Sequence, residues 1–355
     1  MTELKKNTDI LVIGGGQAGL AMGYFLHLNG CQFQILERHQ RIGDSWRRRY
    51  DSLKLFSPRE FSSLPGLPLP GDKNGFASKD EIAGYLEGYA SHVGLPVVCS
   101  TGVKNLQRVG GGFLAKTDND CEVTSRAAVI ATGAFQVPAI PALAKDFAPG
   151  VTQFSPDTYR NPSQVQVGTV LVVGDGATGR QIALELCGTH RVLLATGRTR
   201  GVSPDFILGR SVFWWMDRLG LSRTPRTSPI GRWVMKRDLF PGPQLTNSNL
   251  RRKGIRAVKR LTGVNGSTVT FADGATAEVA SVVWATGYHD DSTWVDIPEV
   301  KEPKGNFVER RGLTAVPNLY FIGRSWQWTR GSALLYGVAR DAEYLMPFIV
   351  AGLER

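Results

Sequence analysis

Cysteine is scarce in this chain: four residues in 355, at Cys31, Cys99, Cys121 and Cys187. No two of them have C-x-x-C or metal-ligand spacing, so neither a metal site nor a redox-active disulfide is expected. They read as small buried apolar residues. The five histidines, His27, His39, His92, His190 and His289, fall in no ligand or triad pattern and read as structural or surface residues. No apolar run approaches the ~20 residues that span a bilayer. The first ten residues are polar and charged, unlike a secretory leader, which makes the cytosol the expected compartment. The net charge of +11 does not come from basic residues alternating with aromatics along one element, which argues against nucleic acid as a partner. A basic field also steers anionic dinucleotides.

Glycine is plentiful instead, at 41 of 355 residues against a usual ~7%. Its placement is the main organisational fact. Residues 9–13 form a short apolar run followed by Gly14, Gly16 and Gly19, a helical pattern over 17–29, and a second strand over 33–36 ending at Glu37. The pattern returns about 160 residues later. Residues 170–173 precede Gly174, Gly176 and Gly179, then a helix over 177–187 and a strand over 191–195. Each copy is followed by a later strand that runs into Ala-Thr-Gly, at Ala131, Thr132, Gly133 and at Ala285, Thr286, Gly287. A strand, G-x-G-x-x-G and a helix make a dinucleotide-binding unit: the first glycine permits the turn, the second admits a pyrophosphate, and the third lets helix and strand pack closely. The helix N-terminus then offers free N–H groups to the phosphates. The expected fold class is therefore α/β, with two Rossmann-like domains, the second inserted in the first. The expected boundaries are 1–160, 161–284 and 285–355.

The acid after each motif separates the two sites. Glu37 lies 18 residues beyond Gly19, where a carboxylate holds ribose hydroxyls. The same count from Gly179 reaches Gly197, followed by Arg198, Thr199 and Arg200. A carboxylate there would repel a 2′-phosphate, whereas guanidinium groups bind it. The first site suits FAD. The second suits NADPH, with NADH left open, and its motif residues include Ala177 and Thr178.

Longer stretches carry a resemblance. VIGGGQAG (12–19), GDSWRRRYDSLKLFSP (43–58), VIATGAFQVP (129–138), WATGYHDD (284–291) and VPNLYFIGRSWQWTRGSALLYGVARDA (316–342) resemble the flavin-containing monooxygenase superfamily, in particular its compact bacterial CzcO-like branch. Baeyer–Villiger monooxygenases and the auxin-forming plant enzymes are more distant. The resemblance implies that Gln17, Ala18, Glu37 and Arg38 hold FAD. It places Ser45 and Trp46 beside the flavin, Val103 at the adenine, and Gly323, Leu334 and Leu335 along the ring. Arg330 and Ser57 are the candidate polar residues near the flavin, and Trp326 and Trp328 are candidates for the same surroundings.

It also implies that NADPH reduces FAD and that oxygen adds at flavin C4a. The oxygen then passes to a thioether or amine, or to a ketone. A small-molecule substrate and oxygen are the expected partners, with room for a homodimer. Alternatives are a reductase or oxidase without oxygen insertion, or a redox-sensing partner of a transport system. The fingerprint F-x-G-x-x-x-H-x-x-x-(Y/W) is stretched here: Phe147, Gly150 and Tyr159 are present, with Ser155, or Phe154 in another register, in the place of the histidine. Phe56 stands where animal members have an asparagine. Residues 205–250 are expected to roof the approach of the substrate to the flavin edge, with residues 206–221 as a wall or lid of that cleft. For residues 206–221 the other reading is an amphipathic helix lying on a membrane.

Overall fold

In the computed structural model, which describes residues 3–197, 200–237 and 240–354, the two apolar runs preceding the glycine motifs become the central strands of two sheets. Strand Asn7–Ile13 pairs in parallel with Phe33–Leu36 on one side and Glu122–Ile130 on the other. Leu319–Phe321 lies parallel to Glu122–Ile130. Parallel strands are covered on both faces, which is why these runs are continuously apolar and do not alternate. On one face Ile10, Val12 and Val129 pack under helices Gln17–Leu28 and Leu335–Leu353. On the other, Leu11, Ile13 and Ile130 pack against Leu106, Phe113 and Val295.

The second sheet runs Arg256–Val258, Arg191–Ala195, Thr169–Val173, Ser281–Trp284 and Thr152–Phe154, all parallel. Its outer strand, Thr152–Phe154, begins before residue 161, so the insertion starts earlier than expected. Phe147 and Val151 already belong to the second core, with Leu171 and Trp284. Two crossings join the lobes, and they lie side by side as an antiparallel pair of Val137–Pro138 and Tyr288–His289. Val295–Asp296 then rejoins the first sheet beside Val103–Val109.

Local details add to the sequence reading and in places depart from it. Helix Lys79–Val93 is capped by Ser78, with Asp80 at its second position. The Ser78 hydroxyl accepts from Glu81 N, while the Glu81 carboxylate accepts from Ser78 N at 2.8 Å. This reciprocal box satisfies two helix-end donors, which a lone acid at the second helical position cannot. Residues 206–221 are not one helix. They form the hairpin Phe206–Ile207 with Arg210–Ser211, followed by the short helix Val212–Arg218. The last helix begins at Leu335, after a 3-10 turn over Arg330–Ala333. All four cysteines are half-buried, more accessible than expected. Among the described residues no helix is long and apolar enough to cross a membrane.

Ser78→Ala should lower the unfolding free energy by about 1 kcal/mol, read by urea denaturation at neutral pH. Bonds from Ser78 and Arg59 hold the Glu81 carboxyl down to about 2, against an ordinary 4.5. Its contribution to stability is therefore present above pH 4.5 and lost as pH falls toward 2. The wild-type advantage over Ser78→Ala should shrink across that window.

Candidate functional site

At the first motif the chain ends its strand, turns and starts a helix almost in contact with itself. Gly14 has φ +112, and a Cβ there would sit 2.6 Å from the Ala131 carbonyl oxygen. A Cβ on Gly19 would sit 1.8 Å from Gly14 O. Only glycine lets the helix start so close to the strand end. Gly16, the helix N-cap, faces open space, with nothing within 4 Å of its Cβ position. The N–H groups at that helix end thus face open space, a placement that suits a pyrophosphate.

Glu37 closes one side of this turn. Its carboxylate accepts from Gly15 N at 2.7 Å, from His39 N at 2.9 Å and from the His39 ring at 2.6 Å. Burial would raise its pKa, but these hydrogen bonds outweigh burial and hold the carboxyl below its ordinary value. Arg38 is exposed beside it, and Val103 opens a strand at the same edge, after Gly102, whose Cβ position lies 3.1 Å from Arg38 Cβ.

Gln17 joins three expected site segments. It donates to Ala333 O at 3.2 Å and accepts from the Trp46 indole at 3.3 Å. Ser45 next to it is exposed. Gly323 presses on the same helix start, its Cβ position 2.5 Å from Ala18 Cβ. Leu334 is the cap before Leu335, which is buried. Gln136 donates to Thr132 Oγ1 and Gly133 O and accepts from Asp291 N, tying one crossing to the other.

The second motif repeats the first almost atom for atom. A Cβ on Gly174 would lie 2.2 Å from Ala285 O, and one on Gly179 would lie 1.8 Å from Gly174 O. Gly176 caps helix Ala177–Leu186, with Ala177 and Thr178 half-buried in its first turn. Thr286 Oγ1 donates to Ala139 O at 2.6 Å, and Gly287 O accepts from Ala139 N. Arg198 and Thr199 lie outside the described residues. Arg200 leans over the motif, 3.8 Å from the Gly176 Cβ position and 3.5 Å from Asp175. Asp175 is buried between Arg200 and a second buried guanidinium, Arg180. Arg180 in turn donates to Asp175 O, Leu245 O and Asn247 Oδ1. Neither Asp175 nor Arg180 was singled out in the sequence, although both stand inside the glycine motif's own helix turn.

Between the cradles lie two clusters that no single motif displays. Arg49 donates to Asp157 at 2.7 Å and bonds the Tyr288 hydroxyl, while Tyr288 donates to Asp157 at 2.8 Å. Phe135 stands edge-on to Tyr288. This group fastens the 43–58 segment to both crossings and to the second lobe. The other cluster is apolar. Phe213, on helix Val212–Arg218, stacks on Phe56 and Phe61 at 6.3 and 6.0 Å, and Tyr336 stands edge-on to Phe213 at 5.4 Å.

Ser57 and Arg330 border this apolar cluster without meeting. The Ser57 hydroxyl is bonded to Ser62 Oγ at 2.8 Å. Arg330 lies beside Tyr336, and burial pushes its guanidinium down to about 10, so it remains charged near neutrality. No acid among the described residues pairs with it, although carboxylates neutralise Arg324, Arg340 and Arg49 nearby. Trp328 sits apart, its carbonyl accepting from Arg226 N and its ring facing Arg311. Trp326, half-buried, takes φ +55. In the stretched fingerprint, Tyr159 is fully buried and donates to Glu185, while Ser155 closes a local turn with Thr158.

Residues 11–205 match the pyridine nucleotide-disulphide oxidoreductase family. An uncharacterized CzcO-like oxidoreductase of Geobacillus kaustophilus (strain HTA426) is 46% identical over 95% of this chain and 97% of its own length. The chain belongs to the CzcO-like branch of the flavin monooxygenase superfamily. The indole-3-pyruvate monooxygenase YUCCA1 of Oryza sativa subsp. japonica is 27% identical over 90% of this chain and 84% of its own. The solved flavin-containing monooxygenase of Stenotrophomonas maltophilia covers 98% of this chain and 99% of its own, at 26% identity and a TM-score of 0.82. As a member of this superfamily, the protein is a flavin-dependent oxidoreductase.

Glu37→Gln should reduce flavin affinity about tenfold or more, read as flavin absorbance per polypeptide after dialysis. Because the Glu37 pKa is lowered from 4.5, the carboxylate's contribution to stability is full above that pH and is lost below it. The melting-temperature gap between wild type and variant should close as pH is lowered through 4.5.

Proposed function

We propose that this CzcO-like protein is an NADPH-dependent FAD monooxygenase that oxygenates a small organic substrate, either a soft nucleophile such as a thioether or amine, or a ketone. One observation carries the reading. The chain builds the same glycine turn twice, with a lowered carboxylate beside the first and a guanidinium over the second. The first pairing suits a ribose bearing free hydroxyls, the second a dinucleotide bearing an extra phosphate. The absence of C-x-x-C from the full sequence argues against disulfide reduction, which needs a thiol pair to receive electrons.

FAD reduced by NADPH supplies the electron pair that activates oxygen. The chain's own residues do the rest. The amides of Gly16 and Gln17 would hold the pyrophosphate, and the Glu37 carboxylate, itself fixed by Gly15 N, the adenosine ribose. Gln17 fixes Trp46 and the turn at Ala333 relative to that helix, so the segments expected beside the ring move as one unit. Arg330 contributes an unneutralised positive charge, which favours negative charge on a reduced isoalloxazine. Phe56, Phe61, Phe213 and Tyr336 exclude water from the space the substrate would share. Arg200, with Arg198 and Thr199 adjacent in sequence, receives the 2′-phosphate.

Purified protein should be yellow. It should consume one oxygen per NADPH while oxygenating a member of a panel of thioethers, amines and ketones. Undiminished anaerobic turnover with an added electron acceptor, and no oxygenated product in air, would overturn the oxygenase assignment. Arg200→Ala should raise KM for NADPH roughly tenfold to a hundredfold with little change for NADH. An equal rise for both would remove Arg200 from the 2′-phosphate. Arg330→Ala should lower the midpoint potential of the bound flavin, with Arg330→Lys restoring part of it. A potential unaltered in both variants would take Arg330 away from the ring.

A further inference from the structure

Among the described residues, the segment 206–237 combines exposed apolar side chains with a concentration of positive charge. Among the described residues, eight of the fifteen exposed large apolar side chains lie within residues 206–237. Leu208, at the tip of the hairpin, is 87% exposed, Leu219 is 64%, Trp233 53% and Ile230 51%. The same 32 residues carry seven cations and one carboxylate, which is +6 of the chain's net +11.

The exposed face can be told from the packed one. In helix Pro229–Arg237, Gly231 is buried, and a Cβ there would fall 1.9 Å from Pro225 O. Ile230 and Trp233 are exposed, together with Arg232, Lys236 and Arg237. Arg237 lies over the Trp233 ring at 5.6 Å, and Arg210 over Trp214 at 5.3 Å. Tryptophan among arginines and lysines, with aliphatic side chains beside them, is what the boundary between headgroups and acyl chains favours. Isolated exposed apolar residues need no explanation, but a concentrated set marks an interaction surface.

We propose that residues 206–237 dock this protein peripherally on an anionic phospholipid surface, with the Leu208 tip and Trp233 inserted among the acyl chains and the flanking cations on the phosphates. Charge selects this occupant over a second copy of the chain, because two-fold self-association would set one +6 patch against another. The segment also reaches the aromatic cluster through Phe213, so a substrate dissolved in the bilayer would have a short apolar route inward. The docking itself does not depend on the oxygen chemistry proposed above.

The test is flotation of the flavin-loaded protein with phosphatidylcholine vesicles and with equimolar phosphatidylcholine and phosphatidylglycerol vesicles. Binding is expected only to the second, and added salt should weaken it. Leu208→Asp and Trp233→Asp should each lower partitioning about tenfold. Lys236→Glu combined with Arg237→Glu should lower it at least as far. Flavin content and the rate of NADPH oxidation should remain at wild-type values in the two single variants, which separates this surface from the redox site. Failure to float with the phosphatidylglycerol vesicles would overturn the proposal. So would wild-type partitioning in both single variants, or a solution dimer that Leu208→Asp dissociates.

Discussion

The constraint on which everything else rests is the near-contact of a helix start with the end of the strand before it. It is made twice, at Gly14 with Gly19 and at Gly174 with Gly179. In both copies the third glycine's Cβ position falls 1.8 Å from the first glycine's carbonyl oxygen. Each turn also sits against the strand end that precedes a crossing, at Ala131 and at Ala285. Any side chain at these points would push the helix off the sheet and the crossing away from the helix. The positive end of each helix would then no longer face the space beyond the strands.

Charge divides the labour between two turns that are alike in backbone. At the first, a carboxylate is held ionised by one backbone amide of the turn and by His39. At the second, the acid Asp175 has been drawn into the motif itself and enclosed by Arg180 and Arg200, leaving the outer face of the turn cationic. Removing one member of such a buried set leaves an uncompensated charge. The two sites are therefore not interchangeable despite their common ancestry in geometry.

Much of this was readable in advance because its cause is local. A buried parallel strand, a glycine turn and a helix start are written in contiguous residues, and the nested arrangement follows from their recurrence. What escaped notice involves distant partners or near-equivalent local choices. Ser78 and Asp80 are both acceptable helix starters, and only the reciprocal bonds with Glu81 decide between them. Thr152–Phe154 is three residues long with two of them polar, too short to show a period, so the insertion's start was misplaced. The Arg49–Asp157–Tyr288 group draws on three segments separated by more than a hundred residues. The pairing of His39 with Glu37 required knowing how the chain bends after the strand.

The paired crossings have a mechanical consequence. Because Val137–Pro138 and Tyr288–His289 are zipped to each other, and Arg49 braces them from the side, the two passages of the chain form one linked connection and not two independent hinges. Asp51 N and Tyr50 add further ties to the second lobe, at Arg160 O and Gln181, so the separation of the two glycine turns is set by several anchors at once.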